Sequence, residues 1–337
     1  MASKKPKSSP NISIMTYNVE NLFDVADDPD KDDAAFLPLA LKQSQAHKDN
    51  CNQIQVKKWR DECLYLDWSQ EKLDQKIANL VRNILQVNHG QGPDILVVQE
   101  IENIHVVDML AKALDQGYKY TALIEGRDVR GIDIGVISKI PLQDEAKIHY
   151  VDFKGISVKE KQDTRGIFEA SFALPKTSKN KTETLVVYGV HFPAPYHKKE
   201  FRIQSFAKLN QLLQSHGKDV LAVAVGDFNV TSDEDQKDKI VTTYAGPYWK
   251  TSHKIKELNT QGTYYYPPKK DWSFLDMMHF SHNLTDDKSW EVNVDSIIVA
   301  NQGPDQIDSK GYPNSFNINT GKGASDHLPI YAELMYQ

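Results

Sequence analysis

The sequence lacks the features of a membrane protein and of a small disulfide-stabilised protein. No apolar run approaches the roughly 20 residues that a membrane-spanning helix needs, so we predict no stable membrane insertion. The only cysteines among 337 residues are Cys51 and Cys63, and either one disulfide or two free thiols would fit that pair. With about 40% hydrophobic residues, the chain must therefore be held together by a hydrophobic core.

The sequence also lacks an excess of positive charge. Its formal net charge is −6, which excludes a uniformly basic protein that coats nucleic acid. A locally basic cleft around a metal site could still attract a polyanion, because attraction at short range depends on the local charges. Net charge therefore leaves the substrate class open.

The first ten residues lack the apolar core of a secretion signal. They are polar and rich in lysine and serine, which predicts a disordered leader at 1–10, either a cytosolic start or a segment that replaces a removed secretion signal. We expect residues 11–337 to form one domain, because α/β sandwiches of this size are commonly undivided.

A long polar insertion is predicted at about 24–69, running over the surface. It carries the acidic run 27–33 and no steady apolar period. A cation-binding flap over a cleft and a solvated acidic loop are both compatible with this composition. The spacing of the acidic residues does not fit an EF-hand loop.

The apolar pattern alternates between helices and strands. Helical spacing predicts helices over about 70–87, over 104–114 and around 201–213. Helices fall between pairs of strands rather than after every strand, which favours two packed sheets with helices outside. The predicted strands cover about 12–15, 94–98, 119–124, 133–138, 167–173, 184–190, 220–225, 263–266, 273–280, 292–300 and 328–335.

Polar side chains follow or precede several of these strands. The most informative cluster is Gly226-Asp227-Phe228-Asn229, directly after an apolar strand. Because strand ends meet at an edge of a sheet, the clusters predict one polar site assembled from distant parts of the chain. The others are Asn18-Val19-Glu20, Gln99-Glu100, His191 and Ser325-Asp326-His327.

These residue types permit metal-assisted hydrolysis. Oxygen donors suit Mg²⁺ or Mn²⁺ rather than zinc, and the candidate carboxylates are Glu20, Glu100, Asp227 and Asp326. The carboxamides of Asn18 and Asn229 could hold a metal-bound water or a phosphate oxygen. His191 and His327 are candidates for general base and general acid, because imidazole titrates near neutrality. Either Asp276 or Asp295 could orient His327.

Taken together, the motifs resemble those of the endonuclease/exonuclease/phosphatase superfamily, from about Ile12 to Glu333. The resemblance implies a four-layered α/β/β/α sandwich of two mixed sheets flanked by helices. It implies that Asn18, Glu20, Glu100, Asp227 and Asp326 bind the metal and that Asn18, Arg165 and Asn229 contact the substrate. The implied catalytic residues are His191, Asp227, Asn229, Asp276 and His327. The motifs are Thr16-Tyr-Asn18-Val-Glu20, Pro93-Asp-Ile-Leu-Val-Val-Gln-Glu100, Gly131-Ile-Asp-Ile-Gly-Val-Ile-Ser138, Val190-His191, Gly226-Asp-Phe-Asn229, Trp272-Ser-Phe-Leu-Asp276 and Ser325-Asp-His327.

Two details of the resemblance bear on the histidines. The family's Trp-x-x-Leu-Asp pattern is met at Trp272 with one inserted residue, which favours Asp276 over Asp295. His191 stands where abasic-site endonucleases have a tyrosine, so the chain is more similar to deoxyribonuclease I. Arg165 resembles an arginine that contacts phosphate in those nucleases, although a surface arginine fits the sequence nearly as well.

The function predicted from these features is a Mg²⁺-dependent phosphodiesterase, with Mn²⁺ or Ca²⁺ as other possible ions. Basic residues near the predicted strand ends favour DNA or RNA over a phosphoinositide phosphatase or a sphingomyelinase. The segment 264–268 could instead contact lipid, but we interpret it as core. A non-catalytic binding module would be expected to have lost at least one of Glu100, Asp227, Asp326 or His327, and all four are present. Monomer is the default, and the resemblance to exported bacterial nucleases suggests export. The basic residues are Arg127, Arg130, Arg165, Lys198, Lys199 and Arg202.

Overall fold

The computed structural model describes residues 10–28, 30–157, 160, 164–175, 183–286 and 289–337. Residues 1–9 of the predicted leader lie outside this set. The described strands are β1 (Asn11–Leu22), β2 (Ile95–Ile101), β3 (Tyr120–Leu123), β4 (Asp133–Ser138), β5 (Lys147–His149), β6 (Ile167–Ala173), β7 (Thr184–His191), β8 (Leu221–Asp227), β9 (Trp249–Thr251), β10 (Tyr264–Tyr266), β11 (Asp271–Ser273), β12 (Asp276–Ser281), β13 (Trp290–Val299) and β14 (Ile330–Tyr336). The described α-helices are α1 (Gln45–Asn52), α2 (Lys57–Tyr65), α3 (Gln70–Ile84), α4 (Ile104–Leu114), α5 (Lys199–Ser215), α6 (Ser232–Asp238) and α7 (Ser252–Ile255).

Two six-stranded sheets form the centre of the fold. The first has the order β13-β14-β1-β2-β4-β3 and the second has the order β5-β6-β7-β8-β12-β9, while β10 and β11 form a separate hairpin. β1 and β2 are parallel, as are β7 and β8, and the other described pairs are antiparallel. Both sheets are therefore mixed.

Side chains alternate between the two faces of each sheet, because successive residues of a strand point to opposite sides. In β1, Ile12 and Ile14 face the second sheet, whereas Met15 and Tyr17 pack with the helices α3 and α4. In the second sheet, the outer face packs with α5. The layers are helix, sheet, sheet and helix, which confirms the predicted α/β/β/α sandwich.

The helices follow their sequence signals. In α3, Leu73, Ile77 and Leu80 are buried along one face, as the helical spacing predicts. The helix ends at Ile84, a few residues before the predicted end at 87. α4 has the predicted bounds, since the Asn103 side chain accepts a hydrogen bond from the Val106 N–H at its N-terminus and Asp115 adopts a left-handed conformation at its C-terminus.

The segment predicted as a surface insertion contains helices α1 and α2. A disulfide between Cys51 and Cys63 joins them, with 5.6 Å between the two Cα atoms. The indole of Trp68 is buried and donates a hydrogen bond to the Phe23 carbonyl. These helices have eight and nine residues, too short for a repeating apolar pattern to stand out in the sequence.

Two predictions between residues 264 and 280 were wrong, one about the bounds of a strand and the other about the burial of a segment. The strand predicted at 273–280 is interrupted between β11 and β12, and its first part pairs with β10 in the hairpin. The prediction that 264–268 is core was also wrong, because Tyr266 is 46% exposed and Tyr264 and Tyr265 are only half-buried. Within the described ranges, no helix is both long enough and apolar enough to cross a bilayer.

His279 in β12 gives stability a predictable pH dependence. Its side chain is fully buried beside Phe228, and burial lowers the pKa of His279 to about 3. Because the buried form is neutral, its contribution is present above the unfolded pKa near 6.5 and is lost as pH falls towards 3. Between pH 7.5 and pH 5, His279 should therefore cost the folded state about 2 kcal/mol.

Urea unfolding at pH 7.5 and pH 5 tests this expectation. His279→Gln should lose less stability than the wild type over this interval, whereas His282→Gln, at an exposed position, should behave like the wild type. An unchanged pH dependence in His279→Gln would contradict a neutral buried imidazole.

Candidate active site

The predicted site residues lie where strands end or bulge. Four of them or their neighbours adopt left-handed backbone conformations: Glu20 (φ 51°), Asn21 (φ 56°), Glu100 (φ 62°) and Asn229 (φ 54°). The register of β1 and β2 shifts between Asn18 and Leu22, so Glu20 and Asn21 form a bulge, here called the β1 bulge. Left-handed non-glycine residues are uncommon and cluster at functional sites, and here they redirect carboxylates out of the sheet.

Gly226 explains why Asp227 can follow a buried strand. Its φ is 137°, and a Cβ atom at this position would lie 2.0 Å from the carbonyl oxygen of Val190. Only glycine fits this close approach of β8 to β7. The next residue, Asp227, pairs with His191 across these parallel strands and with Asp276 across β8 and β12.

Asn18 joins carboxylates from the two sheets. Its Nδ2 lies 3.3 Å from Glu100 Oε1 and 3.3 Å from Asp227 Oδ2, and its Oδ1 accepts a hydrogen bond from the Glu20 N–H. The Asn21 N–H donates to Glu100 Oε2 at 3.1 Å. The β1 bulge therefore positions both Glu20 and Glu100.

The motif Ser325-Asp326-His327, which precedes β14, contacts the β1 residues of the site. Ser325 Oγ donates a hydrogen bond to the Asn18 carbonyl at 2.6 Å, and the Asp326 N–H donates to Glu20 Oε2 at 3.1 Å. His327 follows and forms an isolated bridge with Tyr264 of β10. Residues about 300 positions apart in the chain are thus in direct contact.

His327 is paired with Asp276 and not with Asp295. The distance from His327 Nδ1 to Asp276 Oδ2 is 2.7 Å, and both side chains are buried. Asp295 is exposed in β13, where its carbonyl accepts a hydrogen bond from Lys256, so the alternative partner is excluded. Burial alone would lower the pKa of His327, but the carboxylates of Asp276, Asp326 and Asp227 hold it well above its usual range.

His191 has the opposite electrostatic environment. Its Nε2 lies 3.7 Å from Asp227 Oδ2 and 3.8 Å from Glu100 Oε1. Burial, followed by the positive charges of Arg165 and Arg130, lowers the pKa of His191 well below its usual value. The site therefore contains one neutral imidazole and one imidazolium on the two sides of Asp227.

The pKa values of the carboxylates are also shifted in opposite directions. Burial alone would raise the pKa of Glu100, but Arg130, His327 and Arg165 hold it below its usual value, so Glu100 is ionised. Burial raises the pKa of Asp227 to about 7 and, with Asp326, raises that of Glu20 to about 8. A bound cation would favour the ionised forms of Asp227 and Glu20, because an opposite charge nearby stabilises a carboxylate.

Two arrangements of side chains near Asp227 could hold a cation. Ligand atoms of Asp227, Asp276 and His327 all lie within 4.8 Å of one another. However, Asp276 Oδ2 already lies 2.7 Å from His327 Nδ1, whereas the contacts of Glu100 and Asp227 with Asn18 Nδ2 are longer, at 3.3 Å each. We therefore favour the predicted set around Glu100. His47 also lies close to Cys51 and Cys63, whose sulfur atoms form the disulfide.

The basic residues predicted to line the cleft separate into two groups. Arg165 is buried beside Asp128 at 3.0 Å, so its interpretation as a surface arginine was wrong. Arg130 donates to the side chain of Asn21, and both arginines are close enough to Glu100 to lower its pKa. These two arginines therefore belong to the site.

Three of the other basic residues make local contacts, whereas Lys198 is exposed and its place in the cleft stays a prediction. Arg202 is 1% exposed and binds Glu234 together with the carbonyl of Pro193, so assigning it to the cleft was wrong. Lys199 pairs with Asp238, and Arg127 lies over the Tyr150 ring. Their basic charge is used in local contacts.

Asn229 lies beside Asp227 with part of its hydrogen bonding already committed. Its N–H donates to Asp227 Oδ1 at 2.8 Å, and its Nδ2 donates to the Phe192 carbonyl at 2.9 Å. One hydrogen of Nδ2 and the Oδ1 oxygen are left for a further partner, which is compatible with the predicted contact to a phosphate oxygen.

The sequence interpretation missed a buried lysine next to the site. Lys76 of α3 is 3% exposed and donates to the carbonyl of Glu20. The helical spacing could have revealed it. Lys76 lies on the same face of α3 as Leu73, Ile77 and Leu80, and the apolar pattern predicts that this face is buried.

Comparison with known proteins agrees with the geometry. The family model described as "Endonuclease/Exonuclease/phosphatase family" matches residues 62–336. No curated protein matched the sequence. Three solved structures illustrate the similarity of fold, and none shares more than 16% sequence identity with this chain.

The first is an endonuclease/exonuclease/phosphatase family protein from Bacteroides thetaiotaomicron, with 14% identity and a TM-score of 0.56, covering 98% of this chain and 99% of that one. A mannosyl-6-phosphatase from the same organism has 16% identity, a TM-score of 0.54 and coverage of 96% and 99%. Truncated TDP2 from Caenorhabditis elegans has 13% identity, a TM-score of 0.54 and coverage of 96% and 97%. Because the family model matches residues 62–336, most of the sequence, the chain belongs to the endonuclease/exonuclease/phosphatase family.

Proposed function

We propose that the chain is a divalent-metal-dependent phosphodiesterase that hydrolyses DNA or RNA by attack of an activated water. The observation that supports this most directly is the contact of Asn18 Nδ2 with both Glu100 and Asp227. It brings oxygen donors for a hard cation next to two imidazoles of different charge. Phosphoester hydrolysis needs this combination of charge neutralisation and proton transfer.

The donor set fits Mg²⁺ or Mn²⁺, with Ca²⁺ as a further possibility. Glu100 with Asn18 and Glu20 would hold the ion, with Asp227 and Asp326 nearby, because hydrogen bonds join these five residues into one cluster. Such an ion supplies positive charge that neutralises phosphate and favours the transition state.

The remaining residues can divide the proton transfers between them. Asp227, with a pKa of about 7, is suited to accept a proton from water near neutral pH. His327, held by Asp276, contacts phosphate as a cation and stabilises its developing charge. His191, which keeps an N–H while neutral, donates a hydrogen bond to the leaving oxygen.

An aromatic surface beside His327 supports a nucleic acid substrate. The ring of Tyr264 lies 4.9 Å from that of His327, and Tyr265 stacks on Tyr312 at 3.8 Å. Partly exposed aromatic rings provide stacking surfaces for unpaired bases. Arg130 and Arg165, whose charges lower the pKa of Glu100, would contact phosphate oxygens.

The principal alternative is a phosphatase or phospholipase that acts on a small phosphoester. A mannosyl-6-phosphatase has a similar fold, so phosphomonoesters are candidate substrates under this alternative. Phosphoinositides and sphingomyelin are the other candidates, as predicted from the sequence. The Cys51–Cys63 disulfide supports export as a proposal, since disulfides persist in oxidising compartments.

Incubation with a panel of substrates and ions tests the function. Plasmid DNA, single-stranded DNA and RNA should be cleaved with Mg²⁺ or Mn²⁺ and should stay intact with EDTA, because the carboxylate pocket needs the cation's charge. Mannose 6-phosphate, phosphoinositide and sphingomyelin are assayed in parallel. Faster turnover of any of these than of nucleic acid would replace the proposal by the alternative, and activity in EDTA would contradict metal dependence.

A further inference from the structure

Lys76 places a positive charge in the interior directly behind the site. Its Nζ donates to the carbonyl oxygen of Glu20 and lies 3.5 Å from that of Asn21. The rings of Trp68 and Phe316 flank the ammonium, with centroids 5.9 Å and 5.8 Å away. A buried ammonium needs several partners, and here two of them are carbonyls of the β1 bulge.

Those two carbonyls belong to residues in an unfavourable conformation. Glu20 and Asn21 are consecutive non-glycine residues with φ values of 51° and 56°. Such a pair persists only where its surroundings hold it, since each residue would adopt a right-handed or extended conformation at lower cost. The ammonium of Lys76 binds both carbonyls and therefore stabilises the left-handed pair.

The β1 bulge carries the contacts that arrange the carboxylates. On its other side, the Asn21 N–H donates to Glu100 Oε2, and the Glu20 N–H donates to Asn18 Oδ1. Glu20 Oε2 in turn accepts hydrogen bonds from the N–H groups of Asp326 and Phe316. Relaxation of the bulge would therefore displace Glu20 and release a hydrogen bond to Glu100.

We propose that Lys76 is a positioning residue, which holds the β1 bulge so that Glu20 and Glu100 present their carboxylates to the divalent ion. This inference rests on the proposed metal dependence. Lys76 makes its hydrogen bonds to the site through the backbone carbonyls of Glu20 and Asn21, from the α3 side of the first sheet.

The charge of Lys76 and its positioning role affect metal affinity in opposite directions. The direction of the change in a Lys76 variant therefore tests the proposal. A positive charge close to a cation site opposes cation binding, so a role as charge alone predicts tighter binding once the lysine is removed. A positioning role predicts weaker binding, because outer partners of ligating carboxylates typically set metal affinity by a factor of 10 to 100.

The experiment measures Mn²⁺ binding by calorimetry without substrate. Lys76→Met should weaken binding by about tenfold or more. Lys76→Gln, whose amide can still donate to the carbonyls, should bind more tightly than Lys76→Met. Lys72→Met, with the same change of charge one turn earlier on α3, should bind like the wild type.

A rescue variant separates positioning from general loss of packing. Asn21→Gly keeps the N–H to Glu100 and adopts φ near 56° without cost, so it should restore much of the lost affinity when added to Lys76→Met. Asn21→Gly alone gives the baseline, since it also removes the side chain that Arg130 contacts. If Lys76→Met does not fold, Lys76→Gln with and without Asn21→Gly decides the same question.

Unchanged or tighter Mn²⁺ binding by the Lys76 variants, or no gain from Asn21→Gly in their background, would overturn the inference. A wild-type protein that binds no Mn²⁺ would instead remove the proposed metal dependence. A wild type that binds Mn²⁺ beside unaffected variants would leave the proposed function intact and contradict only the role of Lys76.

Discussion

Replacing His327 with alanine should reduce kcat for phosphodiester hydrolysis by about 10³-fold and leave the fold intact. The imidazolium is buried 2.7 Å from Asp276 and 4.0 Å from Asp227, so it is the cation best placed to meet phosphate next to the base. Its ring contacts Tyr264 and Asp276 rather than the apolar side chains between the sheets, which is why the loss should fall mainly on activity. Steady-state kinetics and urea unfolding of the variant measure the two effects.

A control and a double variant sharpen this prediction. His105→Ala changes an exposed histidine of α4 and should keep full activity. Asp276→Asn should also lower kcat, but adding it to His327→Ala should cost little more, since Asp276 acts through His327. Near-normal turnover by folded His327→Ala would contradict the catalytic role of His327. Additive losses in the double variant would show that Asp276 does not act through His327.

Glu100→Gln is expected to produce a loss of similar size together with weaker Mn²⁺ binding. Glu100 is the carboxylate whose pKa is held below its usual value, by Arg130, His327 and Arg165 against the effect of burial. Glutamine preserves its shape but removes the negative charge that a divalent cation requires. We expect kcat/KM at fixed Mg²⁺ to fall about 10³-fold, the scale at which a lost electrostatic contact affects catalysis.

Glu102→Gln is the matched control for this variant. Glu102 lies two residues further on, is 3% exposed and accepts a hydrogen bond from the Asp24 N–H. Burial raises the pKa of Glu102 to about 8, so glutamine resembles its protonated form at neutral pH and activity should persist. Wild-type Mn²⁺ affinity in Glu100→Gln would exclude Glu100 as a ligand, whatever the change in turnover.

Much of this site could be anticipated because its chemistry is local in sequence. Two motifs directly follow or precede apolar strands, namely Gly226-Asp227-Phe228-Asn229 and Ser325-Asp326-His327. Since strands end at the edge of a sheet, such motifs are expected there. The apolar spacing of α3 and α4 likewise located both helices. Each of these signals depends on residues within one turn or strand of each other.

Predictions that depended on contacts across the fold succeeded less well. Arg202 has the charge and position expected of a cleft residue, yet Glu234 and nearby carbonyls bind it in the interior. The tyrosines 264–266 look like core in the sequence, but the hairpin of β10 and β11 places them beside His327. The left-handed conformations of Glu20 and Glu100 have no glycine to mark them.

Residue types and their spacing along the chain were enough to identify the type of fold, the strand ends that carry polar residues, and the family. The partner of His327, the place of Arg130 and Arg165 near Glu100, and the contact of Lys76 with the β1 bulge became clear only from the folded chain. These outcomes are set by distances between segments far apart in the chain. No local pattern encodes which of several similar side chains will be closest once two sheets have packed.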